Sequence, residues 1–319
     1  MRGLISSLPT QLEASHIVAP SPLYPFLLAA RATDHPLLVI TSSSRSSEDL
    51  VNELRELHNN VVEFPAWETL PHERLSPRSD TVAKRIQTLY ALQNKHSINP
   101  IVVTPVRGAI HRIISNLGST PLMKLEIGKE QSLDLLVRHL SSLAYSRTDL
   151  VERRGEFAVR GGIVDLFLPL SNHPIRIDFF GDEIEDLSYF EVSDQRTFQP
   201  VAGSFDIYPC RELLLTHETK HRALEIADEY PAAAEMLSKI AEGMTFEGME
   251  SLLPLLIDET ESLLTRMPIN TQIIFIDEHR IKSRAADLLA TNEEFLNASW
   301  SNAALGGTSP IHDGAGTYM

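Results

Sequence analysis

The residues with the most chemical promise are His217-Glu218-Thr219-Lys220-His221, which match the H-E-x-x-H pattern. On a helix the two histidines share a face one turn apart. Their ring nitrogens can then hold Zn²⁺ while the glutamate activates a bound water. The flanks argue against this chemistry. Lys220 puts a cation beside the would-be ligand His221, and THETKHRALEIADEY reads as the polar start of a surface helix. A second pattern, Ile273-Ile274-Phe275-Ile276-Asp277-Glu278-His279, resembles the acidic strand end of a DExH nucleotide hydrolase, with its histidine one position early. Such an end works only with a Gly-rich loop bearing Lys and Ser/Thr, whose N–H groups cradle phosphates. Ahead of the first helix the chain instead reads Val18-Ala19-Pro20-Ser21-Pro22-Leu23-Tyr24-Pro25, without glycine or lysine. Three prolines there remove N–H donors, so no anion nest is expected. G-x-S-x-G is absent, and the single cysteine, Cys210, has no histidine signature near it. The residues thus predict a chain that is not an enzyme and holds no metal or cofactor.

A different chemistry is legible in residues 155–201. Three segments of alternating apolar and polar residues are broken by Gly161-Gly162, by a Pro/Ser/Asn/His stretch and by Gly181-Asp182. Short antiparallel strands with turns between them give this pattern. In Ile175-Arg176-Ile177-Asp178-Phe179-Phe180 the period of two puts Ile175, Ile177 and Phe179 on one face and Arg176, Asp178 and Phe180 on the other. A large aromatic therefore stands among charges on a face that should be wet. The preceding strand places Arg160 on its polar side as well. Arginine with an exposed aromatic is the residue mix of a protein-binding hot spot. The expectation is that the Phe180 ring and the Arg160 and Arg176 guanidinium groups stand together, uncovered. The alternative is a Phe180 tucked under a loop, with ordinary surface arginines.

Bulk properties narrow the partner class. With 319 residues the chain has room for two or three domains, and 43% hydrophobic with 22% charged residues suits a folded protein. A net charge of −15 and no Lys/Arg cluster disfavour nucleic acid as the main partner of this piece. One cysteine fits a reducing compartment, and neither a signal peptide nor a membrane-length apolar run is legible. A cytoplasmic protein without membrane contact is expected.

The elements that must position these residues fall into three stretches. Residues 1–121 read as α/β: strand Leu37–Ile40, helix Ser46–His58, strand Val61–Phe64, helix Asp80–Leu92 and strand Ile101–Val103. Strands alternating with helices predict a parallel sheet. Residues 122–209 read as an α+β unit inserted in the chain, with one helix (Ser132–Ala144) and then consecutive strands. Residues 210–319 read as mainly helical, with one buried strand at Ile273–Ile276 and an aperiodic tail after Trp300.

Two blocks carry a family resemblance. One is Phe64-Pro65-Ala66-Trp67-Glu68-Thr69-Leu70-Pro71, continuing through Leu75-Ser76-Pro77 to Arg85-Ile86-Gln87-Thr88-Leu89-Tyr90. The other runs from Gly155–Arg160 to Asp194-Gln195-Arg196. Together they resemble the N-terminal part of the bacterial transcription-repair coupling factor (Mfd) family, strongly over 60–210 and more weakly at both ends. The resemblance implies a module similar to the repair helicase subunit UvrB in three parts: a degenerate RecA-like domain, 1A (1–121), an inserted domain, 2 (122–209), and a mainly helical domain, 1B (210–319). It implies no ATP hydrolysis, because the phosphate loop is missing. It implies no strand insertion either, because the stretch between Trp67 and Asp80 is too short for UvrB's Tyr-rich hairpin. It further implies recruitment of UvrA, the damage-recognition ATPase of nucleotide excision repair, through Arg160, Arg176 and Phe180. RNA polymerase and DNA would be partners of a longer protein, and ATP with Mg²⁺ would serve motor domains outside these residues. A UvrB-like helicase fragment and, more remotely, a zinc hydrolase at 217–221 are the competing readings.

Overall fold

The structure, a computed structural model, describes residues 16–70, 75–93 and 98–304. The first stretch holds α1 (Tyr24–Arg31), β1 (Leu37–Thr41), α2 (Ser44–Arg55), β2 (Val61–Glu63), α3 (Ser79–Gln93), β3 (Ile101–Pro105), α4 (Val106–Ile110) and β4 (Ile113–Ile114). The continuous apolar runs of β1 and β3 are buried at every position, as strands covered on both faces must be. Ser43 caps α2 by accepting the Ser46 N–H, and Leu50, Val51 and Leu54 turn that helix's apolar stripe onto the sheet.

The second stretch holds β5 (Met123–Glu126), α5 (Leu133–Ser142), β6 (Ser146–Arg147), β7 (Glu156–Arg160), β8 (Ile163–Leu166), β9 (Ile175–Phe180), β10 (Glu183–Phe190), β11 (Thr197–Pro200) and β12 (Ser204–Ile207). Six strands form one sheet in the order β11-β10-β9-β8-β7-β6, antiparallel except where β6 meets β7. Its inner face sets Phe157, Val164, Leu166, Ile175, Ile177 and Leu187 against Leu136 and Leu140 of α5. β5 and β12 pair with each other, apart from the large sheet.

The remainder holds α6 (His217–Ile226), α7 (Ala234–Ala241), α8 (Leu253–Leu256), β13 (Thr260–Glu261), α9 (Leu263–Arg266), β14 (Gln272–Phe275) and α10 (Glu278–Ala304). Helices α6 to α8 enclose a small core around Ala223, Leu237, Ile240 and Leu252. From β13 onward the chain returns to the first stretch. β13 pairs with β4, and β14 adds to the first sheet in parallel, giving the order β14-β1-β3-β2. Leu263, Met267, Ile281 and Leu288 then pack with Val82, Ile86 and Leu89 of α3.

The parallel sheet and the antiparallel run agree with the sequence expectations. Two local expectations do not hold. The strand near Ile273–Ile276 is not buried: it lies at the sheet edge with one neighbour, and its outer residues Ile273 and Phe275 are exposed while Ile274 packs inward. The aperiodic tail does not begin after Trp300, because α10 runs to Ala304, and 305–319 lie outside the described residues. Among the described residues no helix is long and apolar enough to cross a membrane.

Candidate protein-docking site

Strand pairing fixes which side chains share the outer face of the six-stranded sheet. Opposite one another across β7, β8, β9 and β10 stand Ala158, Asp165, Arg176 and Ser188. The next row toward the Gly161-Gly162 turn is Arg160, Ile163, Asp178 and Asp186. Phe180 lies two residues further along β9, about 7 Å at the usual rise of a strand. The period of two thus places Arg160, Arg176 and Phe180 on one face, as the sequence suggests.

The three side chains are not equally open. Phe180 is 77% exposed, a large apolar ring held out at the end of its strand. The Arg160 side chain is 47% exposed; its Nη2 donates to the Asp149 carbonyl at 3.2 Å and lies 3.6 Å from Asp165 Oδ2. Arg176 departs from the expectation of an uncovered cation, with only 19% of its side chain exposed. Its Nε and Nη2 donate to the two oxygens of Asp165 at 2.7 and 2.9 Å, and Nη1 donates to the Gln195 carbonyl at 3.2 Å. The guanidinium also lies 5.0 Å from the centroid of the buried Phe190 ring. The hydrogen bonds that Arg176 donates to Asp165 raise the Arg176 pKa further above its ordinary value, so the group stays a cation. Beside it Asp178 is pushed up from the usual carboxylate value, mainly by desolvation and then by Asp186.

The Gly161-Gly162 turn does not set the Arg160 strand beside the Arg176 strand. It joins β7 to β8, and β8 lies between β7 and β9. The intervening strand supplies Asp165, which sequence reasoning missed. The available signal was a lone carboxylate in Ile163-Val164-Asp165-Leu166, an otherwise apolar strand, because a buried charge needs a partner. Backbone proximity explains the turn itself: Gly161 has φ 61°, and a Cβ on Gly162 would lie 3.1 Å from the Phe179 carbonyl oxygen.

Other candidate residues fall elsewhere. His217 and His221 ride on α6, capped by Thr216; their rings stack at 6.3 Å, and His221 faces Glu225 at 3.4 Å on an exposed surface. Among the described residues no group of three or more His, Cys, Asp or Glu is placed to hold a metal. Asp277, at the end of β14, accepts the Arg280 N–H and pairs with its guanidinium. It borders an 810 Å³ cleft between that edge strand and α1. Residues 18–25 lead into α1, and a strand-to-helix turn runs from β1 into α2. That turn reads Thr41-Ser42-Ser43-Ser44-Arg45-Ser46-Ser47.

A second buried polar cluster joins distant parts of the chain. Arg85 of α3 is fully buried and donates through Nε to Glu212, through Nη1 to the Pro65 carbonyl at 3.0 Å and through Nη2 to His111 Nδ1 at 3.3 Å. Trp67 Nε1 donates to the same Glu212 oxygen at 3.0 Å, and the Arg85 guanidinium lies 4.2 Å from the Phe64 ring centroid. Burial, reinforced by Arg85 and Arg107, holds His111 well below its usual pKa and therefore neutral.

The stretch that carries this exposed aromatic and arginine coincides with a known protein class: residues 123–213 match the family model of the UvrB interaction domain. The matches to whole proteins extend further. The chain is 42% identical over 306 residues to a transcription-repair-coupling factor of Mycobacterium bovis, covering 91% of this chain and 25% of that protein. It is 34% identical over 243 residues to the Myxococcus xanthus factor, covering 72% of this chain and 20% of that protein. It is 28% identical over 289 residues to that of Bacillus subtilis, covering 84% and 24%. The chain thus corresponds to the N-terminal UvrB-homology module of the transcription-repair coupling factors (Mfd). It spans about a quarter of the length of the curated relatives it matches.

Proposed function

We propose that this chain is a non-catalytic recruitment module of transcription-coupled nucleotide excision repair, docking UvrA through the outer face of its inserted sheet. The single observation that carries the reading is the 77% exposure of Phe180 within the stretch that matches the UvrB interaction domain. A bulky ring left in water has a cost that burial in a partner removes, and neighbouring arginine supplies bonds to carboxylates. Arg160, Arg176 and Phe180 form the docking face in this reading. The proposed division is 1–121 as a degenerate motor-like domain, 122–209 as the docking domain and 210–319 as a mainly helical part.

Loss of nucleotide chemistry fits the turn from β1 into α2. Its residues 41–47 are Thr, five Ser and one Arg, with neither the glycines that let backbone amides converge nor a lysine to meet phosphate. RNA polymerase, DNA and an ATP-driven motor belong to a longer protein, in a cytoplasmic setting. The test is isothermal titration of the purified chain with UvrA. Saturable binding supports the reading, and no heat at micromolar concentrations ends it. Titration with ATP and Mg²⁺ discriminates the motor alternative, which requires binding.

A further inference from the structure

We infer that Asp165 is the positioning residue of the docking face: it holds Arg176 as an internal strut and sets the direction of Arg160, which meets a carboxylate of the partner. The inference rests on the UvrA-docking reading and adds which groups touch the partner and which act through another.

Three observations carry it. First, Arg176 is committed inward. Its fork is closed on both Asp165 oxygens, its third nitrogen is on the Gln195 carbonyl, and four-fifths of its side chain is covered. A guanidinium in that state has little capacity left for a second carboxylate. Second, Arg160 is half open. Its Nη2 is held between the Asp149 carbonyl, to which it donates, and the Asp165 carboxylate, whose Oδ2 lies 3.6 Å away, while Nε and Nη1 make no hydrogen bond among the described residues. Those two nitrogens still have N–H groups to donate, and a carboxylate oxygen of a partner can accept them. Third, Asp165 itself is 2% exposed and cannot reach a partner. Its charge reaches the surface through the two arginines it faces. Oδ2 accepts from Arg176 and faces Arg160, so a single atom links the strut to the contacting group.

The experiment is a double-mutant cycle on UvrA affinity in the whole chain, with melting temperature read in parallel. Asp165→Asn keeps the shape and removes the charge. It is expected to weaken UvrA binding about tenfold when Arg160 is present and by less than twofold in an Arg160→Ala background. Arg176→Lys keeps a cation but loses the fork, and it serves where Asp165→Asn does not fold. It is expected to follow the same pattern. A merely structural role would lower affinity equally in both backgrounds, alongside the melting temperature, and that result overturns the inference. Equal loss for Arg176→Lys in both backgrounds means that Arg176 binds the partner directly and overturns it too. Phe180→Ala separates the two levels. If it binds UvrA at full strength, the docking face is wrong and the inference falls with it; if it weakens binding while the cycle shows no coupling, only the role of Asp165 is wrong.

Discussion

Arg85 and Glu212 lie 127 residues apart in the chain and meet as a fully buried ion pair, their side chains 0% and 1% exposed. The contact ties α3, which packs on the first sheet, to the segment that follows β12. Trp67, His111 and the Pro65 carbonyl complete its hydrogen bonds. Removing one partner leaves an uncompensated charge in the interior, at a cost of about 3–5 kcal/mol. Arg85→Ala and Glu212→Ala are each expected to lower unfolding stability by that amount in urea titrations. The pair Arg85→Met with Glu212→Leu is expected to cost less than the sum.

Phe180→Ala has the opposite profile. The ring is mostly solvated, so its removal is expected to leave the melting temperature within a degree or two, roughly the noise of a surface substitution. UvrA affinity is expected to fall by about 2 kcal/mol or more, roughly thirtyfold. Calorimetric titration beside a thermal melt reads both quantities.

The neutral His111 makes stability depend on pH. Its pKa in the fold is well below the usual 6.5, chiefly through burial. When pH falls through 6.5 the unfolded chain takes up a proton that the folded chain refuses, and stability drops as acid is added. The half-buried His139, also lowered by burial, acts in the same direction. Urea midpoints from pH 8 to pH 5 are expected to decline, with a shallower decline in His111→Gln.

Two glycines at positive φ should differ. Gly155 has φ 85°, and a Cβ there would lie 3.1 Å from the Cys210 sulfur; Gly161 has φ 61° and open space around it. Left-handed backbone costs a non-glycine residue about 1–3 kcal/mol. Gly155→Ala is therefore expected to sit at or above the top of that range and Gly161→Ala near the bottom, measured as urea midpoints.

Much of the outer face of the six-stranded sheet was readable because alternation is local. Arg176, Asp178 and Phe180 needed only a strand to share a side. The partner of Arg176 was not readable, because it depends on which strand lies next to β9, and pairing across a sheet is a property of the whole fold. For the same reason the place of β1 within its sheet was not readable from residues 37–41. Only the sheet order shows that β1 lies between β14 and β3. The burial of Arg85 did leave a trace. In Val82–Leu89 it stands three residues after Val82 and four before Leu89, on the stripe that α3 turns inward.

The stretch that carries the six-stranded sheet begins and ends at one place. Met123, first residue of β5, pairs directly with Ile207, last residue of β12. Paired strands lie about 5 Å apart, so cutting the unit out leaves a gap that a few residues can bridge. A segment tethered by such a narrow neck can be transplanted into an unrelated host, or lost from one, without tearing the sheet that carries it.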